Sequence, residues 1–176
     1  MTPENCFTRI VEPTLQWMAA SPSIGIPVTD AARVLVMTIA GQESRWEDRR
    51  QIGIGEYYPQ KIGARGFWQF ESPWFGPVAL VDVLLSTPIQ IGAVCKYLDI
   101  PVDKVSLYEA CAWNDMLACA MARLLLWRDP ARLPAVGDKE GAWVYYVRNW
   151  KPGAPHHDSW SGLYDQSIAA IGRRTP

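Results

Sequence analysis

The stretch from Thr29 to Trp46, TDAARVLVMTIAGQESRW, constrains the fold more than any other part of this chain. From Val34 to Ala40 every residue but Thr38 is apolar, and no glycine or proline interrupts the run. Such a segment reads as a helix buried nearly all round, with Thr29 or Asp30 as its cap. A helix of that kind needs a shell of other elements around it. At 176 residues and 49% hydrophobic content, the chain is long enough to supply one core. No linker or composition shift marks a second domain, so residues 1–176 are expected to form a single, mainly α domain.

The rest of the sequence fits that expectation. An opening helix is expected over 3–20, limited or kinked by Pro13, followed by a loop at SPSIGIP (21–27). Residues 47–64 are charged, Gly-rich and aperiodic. They predict a long loop, or a small hairpin around GIGEYYPQ, and loops of that length tend to be functional. Further helices are expected over 77–85, 87–98 (Thr87 as cap, Pro88 in the first turn), 104–128, 138–148 and 158–172.

Glu43 is the anomaly. Residues 36, 39, 40 and 43 share one helical face, so the carboxylate extends a stripe of Val36, Ile39 and Ala40. Desolvation and the negative end of the helix dipole would both raise its pKa, which is how a general acid is made. The bland alternative is an ion pair with Arg45, Arg49 or Arg50, which would keep it charged.

Composition excludes several functions. Net charge is −1 from 17 basic and 18 acidic residues, and the longest basic cluster is Arg49–Arg50, so no nucleic-acid footprint exists. No apolar run reaches the ~18 residues of a membrane span, and membrane insertion is not expected. The opening MTPENCFTRIVEP is unlike a signal peptide, which predicts synthesis in the cytoplasm. Cys6, Cys95, Cys111 and Cys119 lack metal-binding spacing and are expected to be reduced and buried. The only histidines, His156 and His157, are adjacent in a Pro-Gly-rich loop. A zinc site or a Cys–His peptidase is therefore disfavoured. Neither a metal nor an organic cofactor is expected. Nine tryptophans suit both core packing and stacking on sugar rings.

Four motifs recur in order: ES at 43–44, GARGFWQF at 63–70, AWN at 112–114 and YY at 145–146. In order and separation they resemble the lysozyme-like lytic transglycosylase family, the superfamily of soluble lytic transglycosylases and goose-type lysozymes. The motif-bearing core spans about 29–150. RRQIG, ARGFWQFE, MARLLLW and YYVRNWKPG are more similar to a bacteriophage-encoded branch.

The resemblance implies a lysozyme-like fold and cleavage of the β-1,4 bond between N-acetylmuramic acid and N-acetylglucosamine in peptidoglycan glycan strands. It makes Glu43 the catalytic acid. Ser44 takes the place of a serine near substrate, or merely satisfies a helix-end carbonyl. Gln69 and Asn114 match amide side chains able to hold sugar substituents. Gly66 allows a tight backbone against the catalytic helix. Tyr145 or Tyr146, with Tyr146 favoured, would orient Glu43. Phe67–Trp68 stands where the family has Leu-Met, and Trp113 where it has tyrosine; Trp68 and Trp113 could line a groove or fill the core, and Trp46 is a further groove candidate.

Hydrolytic glycosidases need a second carboxylate, whereas lytic transglycosylases use one. Glu56 and Glu71 are possible second acids, with Glu47 and Asp48 nearby. The phage-lysozyme spacing of an Asp nine positions after the Glu fails, because position 52 is Ile. A lytic transglycosylase is the first expectation and a hydrolytic lysozyme (muramidase) the alternative. A silent glycan-binding or structural virion domain is the rival from another class. Any of these would act from a phage virion, alongside other virion proteins, or at the host wall during lysis. A helical adaptor would instead show no pocket beside Glu43.

Overall fold

The computed structural model describes residues 1–49, 63–72 and 79–172. It is mainly helical and forms one domain, with no strand among the described residues. The loop or hairpin expected around GIGEYYPQ lies outside the described residues. Among the described residues the only bridge of β type is an isolated pair between Arg65 and Phe70.

The opening helix is continuous over 3–20 but changes pitch. Helix α1 (Pro3–Cys6) runs into a π-helical turn at Phe7–Val11, then into α2 (Glu12–Ala20). Pro13 explains the turn. It has no N–H, and its ring would strike the carbonyl four residues back. The wide turn absorbs this: the N–H of Glu12 bonds to Phe7 O, five residues back.

Helix α3 (Asp30–Ser44) is the buried element predicted, and Thr29 caps it by accepting from the Ala32 N–H. Residues Ala32 through Gly41 are all buried, including Arg33, which is paired with Glu12 and Asp30. The helix stops two residues before the expected end. Arg45 (φ 56°) and Trp46 (φ 58°) both enter the left-handed region. This reversal folds the Trp46 indole back over Gly41, where its N–H donates to Met37 O at 3.0 Å. Trp46 is thus core, not groove.

Helices α4 (Ala79–Ser86) and α5 (Pro88–Leu98) follow. Thr87 does not cap α5 with its hydroxyl, which donates to Val83 O instead. The helix expected over 104–128 is two helices, α6 (Lys104–Ala110) and α7 (Asp115–Trp127). The break falls at Cys111–Asn114, because the Asn114 side chain accepts from the Leu117 N–H and starts a new helix. Helices α8 (Lys139–Trp150) and α9 (His157–Gly172) complete the chain.

Two helices are enclosed. Alongside α3 lies α7, buried from Leu117 through Leu126. Helix α9 covers α3 along its length, while the π turn packs on both α3 and α7. Helices α2, α4, α5 and α6 close around α7. Each fully buried Leu, Ile, Val or Phe side chain contributes about 1.5–3 kcal/mol by leaving water. All four cysteines are buried and free. No single described helix is long and apolar enough to cross a membrane.

Gly41→Ala tests the turn after α3. Within a helix this change normally stabilises by about 0.5–1 kcal/mol. Here a Cβ would fall inside the Trp46 indole, so the variant should instead lose about 1–3 kcal/mol, read from denaturant midpoints.

Candidate functional site

Glu43 occupies the last turn of α3, where the helix emerges from the core, and it is only partly exposed. Across from it, α8 presents Tyr146, whose hydroxyl donates to Glu43 Oε1 at 2.7 Å. Among the described residues Oε2 has no partner, and no cation pairs with this carboxylate. Arg49 is engaged with Asp115 at 2.7 Å and Arg45 is exposed; Arg50 lies outside the described residues. The ion-pair alternative therefore has no support among the described arginines.

Burial is the main cause that lifts the Glu43 pKa, to about 7. The Tyr146 hydrogen bond pulls it down and the charge of Glu71 raises it further. The carboxyl therefore keeps its proton to a much higher pH than an ordinary glutamate does. The Tyr146 hydroxyl is pushed well above its ordinary range, by burial first and by Glu43 second, so it stays a donor. With Oε1 accepting from the tyrosine, a proton on Glu43 resides on Oε2.

Tyr146 is fixed by aromatic packing. Its ring stacks on Trp160 (5.1 Å, 20°) and lies against Trp143 and Trp150. Trp160 is held by a bond from its indole N–H to Lys139 O, and Trp150 by one to Trp68 O. Trp68 in turn donates to Val36 O on α3. A chain of indole N–H bonds thus joins α3, the 63–70 segment and α8 around the carboxylate.

Glu43 opens onto a cleft of about 520 Å³, within the range usual for ligand sites. Gln42, Gln69, Glu71 and Tyr146 line it, as do Trp150 and the 151–156 turn. A pocket beside Glu43 is what the adaptor reading lacks. The amide of Gln69 donates to Gly66 O (2.9 Å) and Asp48 O (3.2 Å), so its oxygen is the atom left for a ligand. Glu71 is exposed on the rim. Glu56 lies outside the described residues.

Several sequence-predicted residues are elsewhere. Trp68 is fully buried and acts as a core strut. Trp113 is 68% exposed, but it does not line the cleft. Asn114 spends its side-chain oxygen on the α7 cap. Ser44 is buried and donates to Ala40 O, the helix-end alternative. Tyr145, one residue from Tyr146, points to the other side of α8 and donates to Leu126 O. Gly66 (φ 73°) packs against Cys111 O and Ala118 at the α6–α7 corner rather than against α3.

Sequence reasoning missed Gln42, Trp150, Lys151 and His156. Gln42 ties the cleft wall to α3, donating to His156 O and accepting from Ser159. The available signal was WKPGAPHH. Lys151 takes a left-handed φ of 50° to end α8, and the Pro-Gly turn after it passes the cleft.

Among the described residues no group of three or more His, Cys, Asp or Glu is placed to hold a metal. Burial raises the Cys6 thiol to about 12 and the Cys95 thiol to about 11, which suits packing rather than nucleophilic attack.

The raised Glu43 pKa has a signed consequence for stability. The folded chain holds its proton more tightly than the unfolded chain, so this stabilisation is complete below about 4.5 and is lost as pH rises through about 7. Glu43→Gln should match wild type at low pH and exceed it above neutrality, by up to about 3 kcal/mol. Denaturant titrations near pH 4 and pH 8 would measure this. Asn114→Ala separates capping from ligand contact: the cap predicts a loss of about 1 kcal/mol in stability, with ligand affinity unchanged.

No protein-family model, no curated protein and no solved structure matches the chain.

Proposed function

We propose that this protein cleaves the β-1,4 glycosidic bond of peptidoglycan glycan strands as a lytic transglycosylase on a lysozyme-like fold. The reading is carried by one observation: a Glu43 at the wall of an open cleft, its pKa raised by burial and its Oε1 hydrogen-bonded to Tyr146. The order of the ES, GARGFWQF, AWN and YY motifs supports it.

In this mechanism Glu43 Oε2 donates its proton to the glycosidic oxygen between N-acetylmuramic acid and N-acetylglucosamine as the C1–O bond breaks. The resulting carboxylate then accepts the proton of the muramic 6-hydroxyl, whose oxygen bonds to C1 and closes the anhydro ring. A carboxyl with a pKa near the working pH serves both halves. Tyr146 holds Oε1 in place and stabilises the carboxylate between the two steps. Gln69 offers an amide oxygen to a donor group of the sugar.

Glu71 supports a second reading on the same site. Its charge acts on Glu43 and it lines the same cleft, as a second carboxylate of a hydrolytic lysozyme would. In either reading the setting is a phage virion or the host wall at lysis.

Mass analysis of muropeptides after digestion of purified peptidoglycan decides the chemistry. Anhydromuramic ends are expected; reducing ends would favour the lysozyme. Glu43→Gln should abolish turnover while leaving the fold and wall binding intact. If wild type releases no fragments but binds the wall, a silent binding domain replaces both readings. Tyr146→Phe should remain folded and lose about tenfold or more in kcat, the loss of one hydrogen bond to a charged group.

A further inference from the structure

A second cavity, of about 510 Å³, lies on the far side of α8 from the Glu43 cleft. It opens between the end of α7, the 127–133 turn and the segment before α3. Its walls are chiefly apolar: Pro27, Leu126, Trp127, Leu133 and the ring of Tyr145. Arg123 also lines it, and this residue is otherwise hard to explain.

Arg123 sits on the buried face of α7 with only 3% of its surface exposed. A buried guanidinium ordinarily has a carboxylate beside it, because an uncompensated charge away from water is costly. Here the described residues supply none. Its Nη2 donates to Pro27 O at a long 3.3 Å, and its Nε is buried without a hydrogen-bond partner. The guanidinium also lies over the face of Trp127, 5.5 Å from the ring centroid. Burial lowers its pKa, but only to about 10, so it is still a cation at neutrality.

The carboxylate that shares the cavity, Asp129, is already committed elsewhere. It accepts from Arg148 at 2.7 and 2.9 Å, from Asn149 at 2.8 Å and from the Ala131 N–H at 2.9 Å. The Tyr145 hydroxyl is likewise used, by Leu126 O. The cavity therefore offers one buried positive charge at its inner wall without a carboxylate among the described residues, chiefly apolar surface around it, and the exposed Arg132 at its edge.

We propose that this cavity is a binding site for a monocarboxylate with an apolar body, its carboxylate on Arg123 and its hydrocarbon part against Leu126, Trp127 and Leu133. A carboxylate with an apolar body suits this lining better than inorganic phosphate, which has no hydrocarbon to set against Leu126, Trp127 and Leu133. An amphipathic ligand of this class could be a fatty acid or the carboxyl end of an apolar amino acid or peptide. Both present the same chemistry. The inference is independent of the glycan reading, since no residue of the Glu43 cleft takes part.

Calorimetric titration of the full chain with octanoate and with N-acetylphenylalanine tests the site and separates the two sources. Octanol, which lacks the charge, and inorganic phosphate, which lacks the apolar body, are the comparisons. Saturable binding of at least one carboxylate, with Kd below about 1 mM, is expected. Octanol and phosphate should each bind about tenfold more weakly or not at all. Arg123→Met, checked for folding by circular dichroism, should weaken the carboxylate about tenfold to a hundredfold, the effect of losing a charged hydrogen bond. The proposal is overturned if neither carboxylate binds. It is equally overturned if octanol or phosphate binds as tightly, or if folded Arg123→Met binds the carboxylate as wild type does. Should that variant fail to fold, the four-ligand comparison on the wild-type chain decides alone.

Discussion

The hydrogen bond from Tyr146 to Glu43 is the interaction around which the molecule is arranged. It joins residues 103 positions apart and places a carboxyl where burial works against its charge. Two opposing effects meet at that atom. Desolvation favours the neutral acid, while the tyrosine hydroxyl favours the carboxylate. Their balance, rather than either alone, leaves a group able to give and take a proton near neutrality. Holding such a group costs stability, and the surrounding packing has to offset it.

That packing relies on tryptophan as a strut. Trp46, Trp68, Trp150 and Trp160 each place an indole N–H on a backbone carbonyl while the ring fills the core. A buried indole needs a partner for its one donor, and a carbonyl already used in a helix has a second lone pair to give. The bonds fix the angle at which α3, the 63–70 segment and α8 meet. They also explain why aromatic residues in the motif region were ambiguous in sequence. The same ring that could stack on a sugar is here turned inward by its N–H.

The two cavities on either side of α8 follow from adjacent tyrosines. Residues 145 and 146 are about 100° apart around a helix, so one faces the Glu43 cleft and the other the Arg123 cavity. Each hydroxyl is satisfied within the protein, Tyr146 by a carboxylate and Tyr145 by a carbonyl. Helix α8 is thus the wall shared by a polar site and a chiefly apolar one.

By itself the sequence determined the helical class, the buried α3, a cap at Thr29 or Asp30 and the anomalous placement of Glu43. All of these follow from local periodicity and capping chemistry. It also narrowed the tyrosine to one of two neighbours. The break at Cys111–Asn114 was legible in principle, since asparagine is a strong cap, but the apolar run on either side masked it. What only the tertiary structure decided was the use of each polar and aromatic group: Asn114 as a cap, Trp68 as a strut, Gln42 and the 151–156 turn as cleft wall, and Arg123 as a buried cation with no carboxylate beside it among the described residues. The reason is physical. A helical period states which face a residue occupies, but the partner on that face comes from segments tens of residues away, and burial, pairing and pKa depend on that partner.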